Sequence, residues 1–323
     1  MEEPVSSKST RKSRMALIVT IFLFCTISNS FGDSQPTSTI DNLGGSDKEE
    51  HFPHIKSYMS PFIYPQLYSC IKKVIPVENE FHSQSNEDKW LWKNVFEKLP
   101  RNEVLGGTFL EIGGLDGVDY SNTYFFEKKF DWRGILIEGH PDNDIRASQT
   151  LRNNTAIFTV AVCDAVQNQP GNLTFTAKGG PVGAVVATSS TGFLKYWHKR
   201  GGNGPTVSCI PIQAIIDATG LVDIDLFSLD VEGGELAVLE TLDFGVTNIR
   251  VLVVELDGHN PEKDDKIRSL MISKGFKTPA MSIRNACRNK EKECMRNEVF
   301  INPNYDSRKT AKTYYHYGTG VKC

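Results

Sequence analysis

Phe109-Leu110-Glu111-Ile112-Gly113-Gly114-Leu115-Asp116-Gly117 is an apolar run that carries one carboxylate and then turns through glycines toward a helical stretch. A short apolar run bounded by glycine suits a strand buried on both faces, and a strand, a glycine turn and a helix make the first half of a β-α-β unit. The glycine spacing decides what such a turn receives. A dinucleotide fingerprint runs G-x-G-x-x-G so that a pyrophosphate can approach the next helix, whereas this turn runs E-x-G-x-x-x-G. It makes little provision for a pyrophosphate. Gly113 and Gly117 instead let a ligand lie against bare backbone, and Glu111 sets a negative charge beside it, which suits a cationic amino-acid group.

The same pattern recurs downstream. Gly134-Ile135-Leu136-Ile137-Glu138 is a second apolar run ending in an acid, and a carboxylate at the end of a second strand is placed to accept both hydroxyls of a ribose. A third run ends Ala161-Val162-Cys163-Asp164, where Asp164 can accept from an adenine amino group. One glycine turn alone is more often fold punctuation than a ligand site; three acids in register with it reverse that balance. Together they would surround an adenosine that carries a positive tail, and S-adenosylmethionine fits that description.

Across the chain, short apolar runs alternate with amphipathic ones, the signature of a doubly wound, mostly parallel α/β sheet covered by helices. Strands are expected at Thr108 to Ile112, Ile135 to Glu138, Ile157 to Val162, Leu226 to Leu229 and Val251 to Glu255, with further strands around Lys277 to Ile283 and Glu298 to Ile301. Helices are expected near Asn122 to Phe130, Asp144 to Leu151, Ile212 to Thr219, Glu235 to Leu242 and Asp264 to Lys274. Ahead of the sheet, Ser85-Asn86-Glu87-Asp88 reads as a capping box for a helix that Pro100 closes. Lys178 to Pro205, rich in Gly, Thr and Ser, reads as a long loop or lid. Its Phe193, Tyr196, Trp197 and His198 offer flat faces and polar tips of the sort that pack against a sugar ring, so substrate selection is expected there.

The order of motifs resembles the FkbM-type S-adenosylmethionine-dependent methyltransferases. The matching residues are Ser83-Gln84 with Glu87-Asp88, Glu111 through Gly117 with Ser121-Asn122-Thr123, Trp132-Arg133-Gly134 leading into Glu138, Leu229-Asp230-Val231-Glu232-Gly233-Gly234-Glu235, and Val253-Val254-Glu255. The resemblance runs from about Ser83 to Asn302. It implies the class I methyltransferase fold with a seven-stranded sheet, and O-methylation of a hydroxyl on a sugar or small natural product. Gly139-His140-Pro141 departs from the family's usual Glu-Pro arrangement after the second strand.

Methyl transfer to oxygen needs the acceptor held in line with the methyl and a base near its proton. Asp230 is the first candidate for that base, with His140 and His259 next, since all three follow expected strands. Asp230 and Glu232 could equally cap the helix that begins near Glu235. A divalent metal held by Asp230, Glu232 and Glu255 is a further possibility, but no compact ligand triad stands out and no metal site is expected. Intact Glu111, Gly113, Gly117 and Glu138 favour cofactor binding. The rival is a non-catalytic, Star-like trafficking protein that keeps the fold for binding, since fold does not certify activity.

Composition and termini frame these motifs. The 323 residues are 39% hydrophobic and carry a formal net charge of -3, enough apolar material for a core and no field to attract nucleic acid. Lys8, Arg11, Lys12 and Arg14 precede the apolar run Met15 to Ile27, which continues weakly to Phe31; this reads as a signal peptide or, through residues 15–31, a signal anchor. Residues 1–32 are therefore a targeting segment, 33–82 a linker and extended arm, 83–302 the methyltransferase-like domain and 303–323 a tail. Outside the targeting segment six cysteines remain, none with CxxC spacing, and Cys287 with Cys294 is the easiest disulfide to imagine. Sequons at Asn153 and Asn172 agree with a secretory-pathway lumen and a glycoprotein. The expected acceptor is a hydroxyl of a glycan or glycoconjugate in that pathway.

Overall fold

Burial on both faces explains why the central strands read as continuous apolar runs. In the computed structural model, β1 (Thr108–Ile112) is buried at all five positions and β7 (Asp223–Leu229) at all seven. The structure describes residues 80–143, 145, 151–164, 171–199, 203–256, 258–280, 282–283 and 297–305. The remaining strands of the main sheet are β2 (Arg133–Ile137), β3 (Thr155–Phe158), β8 (Asn248–Glu255) and β9 (Asn297–Ile301). Their spatial order is β3-β2-β1-β7-β8-β9. All neighbours are parallel except β8 and β9. The chain winds outward from β1 to β3 and then returns to β7 on the other side of β1, so the order reverses between β1 and β7. Open α/β sheets bind ligands outside the carboxyl ends of the strands at such a reversal.

Strand alternation sends side chains to two cores. Leu110, Ile112, Phe227, Leu229, Leu252 and Val254 pack on one face with α5 (Ile212–Thr219), α6 (Glu235–Glu240) and α7 (Pro261–Ser273). Phe109, Leu226, Val251 and Val253 pack on the other against an aromatic layer. That layer comes from α1 (Glu87–Asn94), a 3-10 turn (Phe96–Lys98) and α3 (Tyr124–Phe130), with Phe96, Phe126 and Trp132 in mutual ring contact at 4.7 to 5.0 Å. A short α2 (Arg101–Val104) leads into β1.

Several expectations need correction. The run Ile157 to Val162 is two strands: β3 ends at Phe158, and β4 (Ala161–Val162) leaves for a second sheet of order β4-β6-β5, with β5 Gly171–Thr176 and β6 Asn203–Ile210. The main sheet has six strands among the described residues rather than seven. Lys178 to Pro205 is not all loop, because it holds α4 (Thr191–Trp197), the start of β6 and the buried Ala184, Val185 and Phe193. Ser85 does not cap α1; the helix start is tied instead by Ser83 Oγ, which accepts from the Asp88 N–H at 2.7 Å, and by the Asp88 carboxylate, which accepts from the N–H groups of His82 and Ser83. At the carboxyl end of the chain β9 covers the expected Glu298 to Ile301, while Lys277 contributes one bridge to Ile301.

A disulfide joins Cys163 to Cys209 with the Cα atoms 5.6 Å apart, stapling the segment after β4 to β6. The expected Cys287–Cys294 pair, most of the Asp144 to Leu151 helix and the apolar run 15–31 lie outside the described residues. No helix among the described residues is long and apolar enough to cross a membrane.

Candidate active site

A cavity lies at the β1/β7 reversal and reaches from Gln84 and Glu87 through Gly113 and Asp230 to Glu138 and Asp164. Gly113 has φ +86°, and a Cβ there would overlap the carbonyl oxygen of Asp230, so glycine is what lets the turns after β1 and β7 cross. The N–H groups of Gly113 and Gly114 both donate to Ile137 O, at 3.0 and 3.1 Å, which locks the turn to the end of β2. Gly117 does not border the cavity; its carbonyl accepts from Arg152 at 3.0 Å.

Glu111 borders the cavity, yet both of its oxygens are already engaged. Oε2 accepts from Ser121 Oγ at 2.7 Å and Thr123 Oγ1 at 2.6 Å, and Oε1 from the Asn122 N–H at 2.7 Å. Glu111 thus holds the 121–123 turn over the crevice. Arg152 balances its charge. That side chain is fully buried, with Nε 2.7 Å from Glu127 Oε2 and Nη2 3.8 Å from Glu111 Oε2, and it donates to Ser121 Oγ and Thr123 Oγ1. Sequence reasoning missed Arg152, because the sequon that follows it says nothing of a buried cation and its partners Glu111 and Glu127 lie 41 and 25 positions away.

Glu138 closes the next strand. Its Oε2 accepts from the Leu115 N–H at 3.0 Å and its Oε1 from the His140 N–H at 2.6 Å. Burial is the dominant influence and pushes its pKa up to about 7 against these hydrogen bonds. The Asn143 side chain and the Gly139 N–H also favour the ionised carboxylate, so ligand hydroxyls would join or displace donors already gathered on it. Asp164 is exposed at the rim, while Leu173 and Phe175 from β5, with Val185 bridged to Phe175, give the same end an apolar wall. The departure at Gly139 has a packing cause, since a Cβ there would lie 2.7 Å from the Phe175 ring.

His140 is buried and does not border the cavity. Its Nδ1 lies 3.2 Å from the Asp142 N and its Nε2 3.1 Å from Thr176 O, which makes the ring a brace between the two sheets. His259 borders a second, smaller cavity together with Thr188, Ser190, Glu232 and Asn260.

Register brings the last group together. Leu229 pairs with Val254 and Glu255 with Asn297, so Asp230, Glu255 and Asn297 come together at the carboxyl ends of β7 and β8 and the start of the antiparallel β9. Asp230, Glu232 and Glu255 each offer a carboxylate oxygen within 4.8 Å of the others. These are the three residues the sequence offers as a possible ligand set, and the expectation that they form no compact triad is corrected: the register of β7 with β8 brings Glu255 beside Asp230 across 25 positions. Burial first, and then the charges of Asp230, Glu232 and Glu235, hold the Glu255 carboxyl well above the usual carboxylate range. The set has the donor chemistry to hold a divalent cation or to share a proton. Entry into α6 is closed by Glu235, whose Oε1 accepts from the Gly233 N–H at 2.8 Å while Oε2 pairs with Lys263 at 2.5 Å.

A family model described as the methyltransferase FkbM domain matches residues 111–278, a span that holds Glu111, Glu138, Asp230 and His259. Among solved structures, methyltransferase FkbM from Methylobacillus flagellatus KT is similar at 12% identity and a TM-score of 0.36, over 61% of this chain and 44% of that one. This chain therefore spans less than half the length of that protein. No curated protein matches it.

Proposed function

From the premise that the chain belongs to the FkbM methyltransferase family, we propose that it transfers a methyl group from S-adenosylmethionine to a hydroxyl oxygen, with a glycan or glycoconjugate of the secretory pathway as acceptor. The observation that carries the reading is Glu138, a buried carboxylate pinned by two backbone N–H groups at the end of the second strand, in the crevice where the strand order reverses. The cofactor, when bound, supplies an electrophilic methyl on a sulfonium. Glu138 accepts the ribose hydroxyls, Asp164 an adenine amino group, and Leu173, Phe175 and Val185 shield the base from water. Glu111 and the turn it holds sit toward the amino-acid end. Asp230 takes the acceptor's proton as bonding develops, or orients its hydroxyl, and the neighbouring Glu255 carboxyl keeps the local charge low.

Support for a lumenal setting is the Cys163–Cys209 disulfide, which suits an oxidising compartment, together with the basic and apolar amino-terminal run and the exposed Asn172 sequon. Incubation with methyl-labelled S-adenosylmethionine and enzymatically released glycans tests the reaction. Alkali-stable label in the glycan fraction, lost in Asp230→Asn, is expected for a methyl ether. Alkali-labile label would mean ester formation. Cofactor binding with no transfer to glycans would overturn the acceptor class, and no cofactor binding at all would favour the Star-like binding role.

A further inference from the structure

Tyr120 stands at the rim of the crevice with a backbone φ of +64°, in the left-handed region that an aromatic residue rarely adopts. The surrounding turn holds it there. Its backbone bridges to Ser83, and the Asp116 carboxylate accepts from the N–H groups of Val118 and Asp119 at 2.9 and 2.8 Å. Two residues on, Asn122 donates from Nδ2 to Ser228 Oγ at 2.9 Å, which ties the turn to β7 two residues before Asp230. The fold thus fixes a ring that it does not bury: Tyr120 is 49% exposed and meets no other ring among the described residues. A strained backbone that persists beside a crevice points to a contact made there.

Gln84 and Asn297 border the same cavity. Asn297, at the start of β9, donates from Nδ2 to Glu87 Oε1 at 2.8 Å, so the amide is oriented and its Oδ1 is left as an acceptor. In the strand order, β2 with Glu138 at its end and β9 with Asn297 at its start stand four strands apart, about 19 Å at the usual strand spacing. The sulfonium methyl of the cofactor is three bonds from its ribose ring. A ribose held at Glu138 therefore leaves the methyl short of β9, and the end bordered by Gln84, Tyr120 and Asn297 remains for the acceptor. The chemistry there is mixed. The exposed Gln84 amide both donates and accepts, Asn297 accepts, and Tyr120 adds a flat apolar face. An anion would meet Glu87, Asp119 and Asp230 on the same walls, and an ammonium, which only donates, would leave the Gln84 NH2 without a match. An uncharged sugar ring, with a C–H face and hydroxyls that donate and accept, satisfies the whole set.

Resting on the methyl-transfer reading, we infer that Tyr120, Gln84 and Asn297 form the acceptor subsite, which seats one uncharged pyranose ring with its C–H face on Tyr120 and its hydroxyls on the two amides. This moves substrate selection out of Lys178 to Pro205, where the sequence places it. That segment borders the crevice through Gly180, Val185 and Thr188, while Tyr196, Trp197 and His198 border neither cavity. Phe193 is buried, and His198 Nε2 lies 2.8 Å from Val182 O.

The test uses the full chain and two measurements: S-adenosylhomocysteine by calorimetry and, with that ligand present, methyl pyranosides by saturation-transfer NMR. The uncharged probes are the methyl pyranosides of glucose, galactose, mannose, xylose and fucose; the charged ones are methyl glucuronide and methyl glucosaminide. At least one uncharged pyranoside should receive saturation from the wild-type protein, and more than either charged probe. Tyr120→Gly removes the ring where glycine suits the backbone, and should weaken that pyranoside about tenfold or more while the affinity for S-adenosylhomocysteine changes less than about twofold. Tyr120→Phe, which keeps the ring, should stay within about twofold of wild type, and Gln84→Ala should give an intermediate loss. Binding of S-adenosylhomocysteine with no response from any pyranoside would overturn the subsite and leave the methyltransferase reading standing, as would a pyranoside signal unchanged in Tyr120→Gly. Equal losses of pyranoside and S-adenosylhomocysteine in Tyr120→Gly would assign the ring to the cofactor, and a charged probe that binds best would overturn the uncharged occupant. Pyranoside binding that depends on Tyr120, in a protein that does not bind S-adenosylhomocysteine, would keep the subsite and remove the methyltransferase reading.

Discussion

Glu138 should make cofactor affinity depend on pH across the neutral range. Burial raises its pKa to about 7 in the unliganded protein, and only the ionised carboxylate is a pure acceptor for two ribose hydroxyls. Between pH 8 and pH 6 the ionised fraction of such a group falls about tenfold. Affinity for S-adenosylhomocysteine should therefore fall about tenfold on acidification, worth ~1.4 kcal/mol. Stability of the unliganded protein should move the other way. An acid whose folded pKa is raised contributes most to stability below its unfolded value, near 4.5, and that contribution is lost as pH rises toward about 7. Calorimetric titrations at pH 6, 7 and 8, in buffers of different ionisation enthalpy, read both the affinity and the proton released on binding. At pH 6 close to one proton should be released, and at pH 8 close to none. Glu138→Gln should bind more weakly and lose the slope. A flat wild-type profile, or the same slope in Glu138→Gln, would refute the assignment of Glu138 as the ionised ribose acceptor.

Two other perturbations probe what holds the crevice. Arg152→Met leaves the carboxylates of Glu127 and Glu111 buried without their cation and should cost about 3 to 5 kcal/mol in a denaturant melt; a loss under about 1 kcal/mol would mean that the 121–123 turn does not need it. Removing the Cys163–Cys209 bridge, which closes a separation of 46 residues, should cost about 4 kcal/mol if chain entropy governs it. A Cys163→Ala/Cys209→Ala protein should melt lower and, because Cys163 borders the crevice, bind S-adenosylhomocysteine more weakly; equal melting temperatures for the two proteins would contradict this.

The parts of the fold legible in the sequence are those where local pattern and burial agree. Strands β1, β2, β7 and β8 stand out as short, mostly apolar runs because they are buried on both faces. The run from Ile157 to Val162 misleads because its apolar residues are buried in either sheet, so composition gives no sign of the change of partner at Thr159 and Val160. Strands β5 and β6 are half-buried and rich in Gly, Thr and Ser, a composition shared with loops. Within the site, Glu111 and Glu138 could be placed in the crevice because strand ends announce themselves through the glycines that follow. Their partners could not, since Arg152 reaches Glu111 across 41 positions and Glu255 meets Asp230 only through the register of β7 with β8. The histidine readings separate on burial: His140 is consumed by two backbone contacts, while His259 borders a cavity.

The most direct test of the account is a pair of calorimetric titrations at pH 8, one with S-adenosylhomocysteine and one with NAD. An E-x-G-x-x-x-G turn locked to β2, with Glu138 ionised beside it, should bind S-adenosylhomocysteine at a single site per chain and give no heat with NAD. Absence of binding by S-adenosylhomocysteine, or tighter binding of NAD, would contradict the assignment of the β1/β7 crevice to a methyl donor.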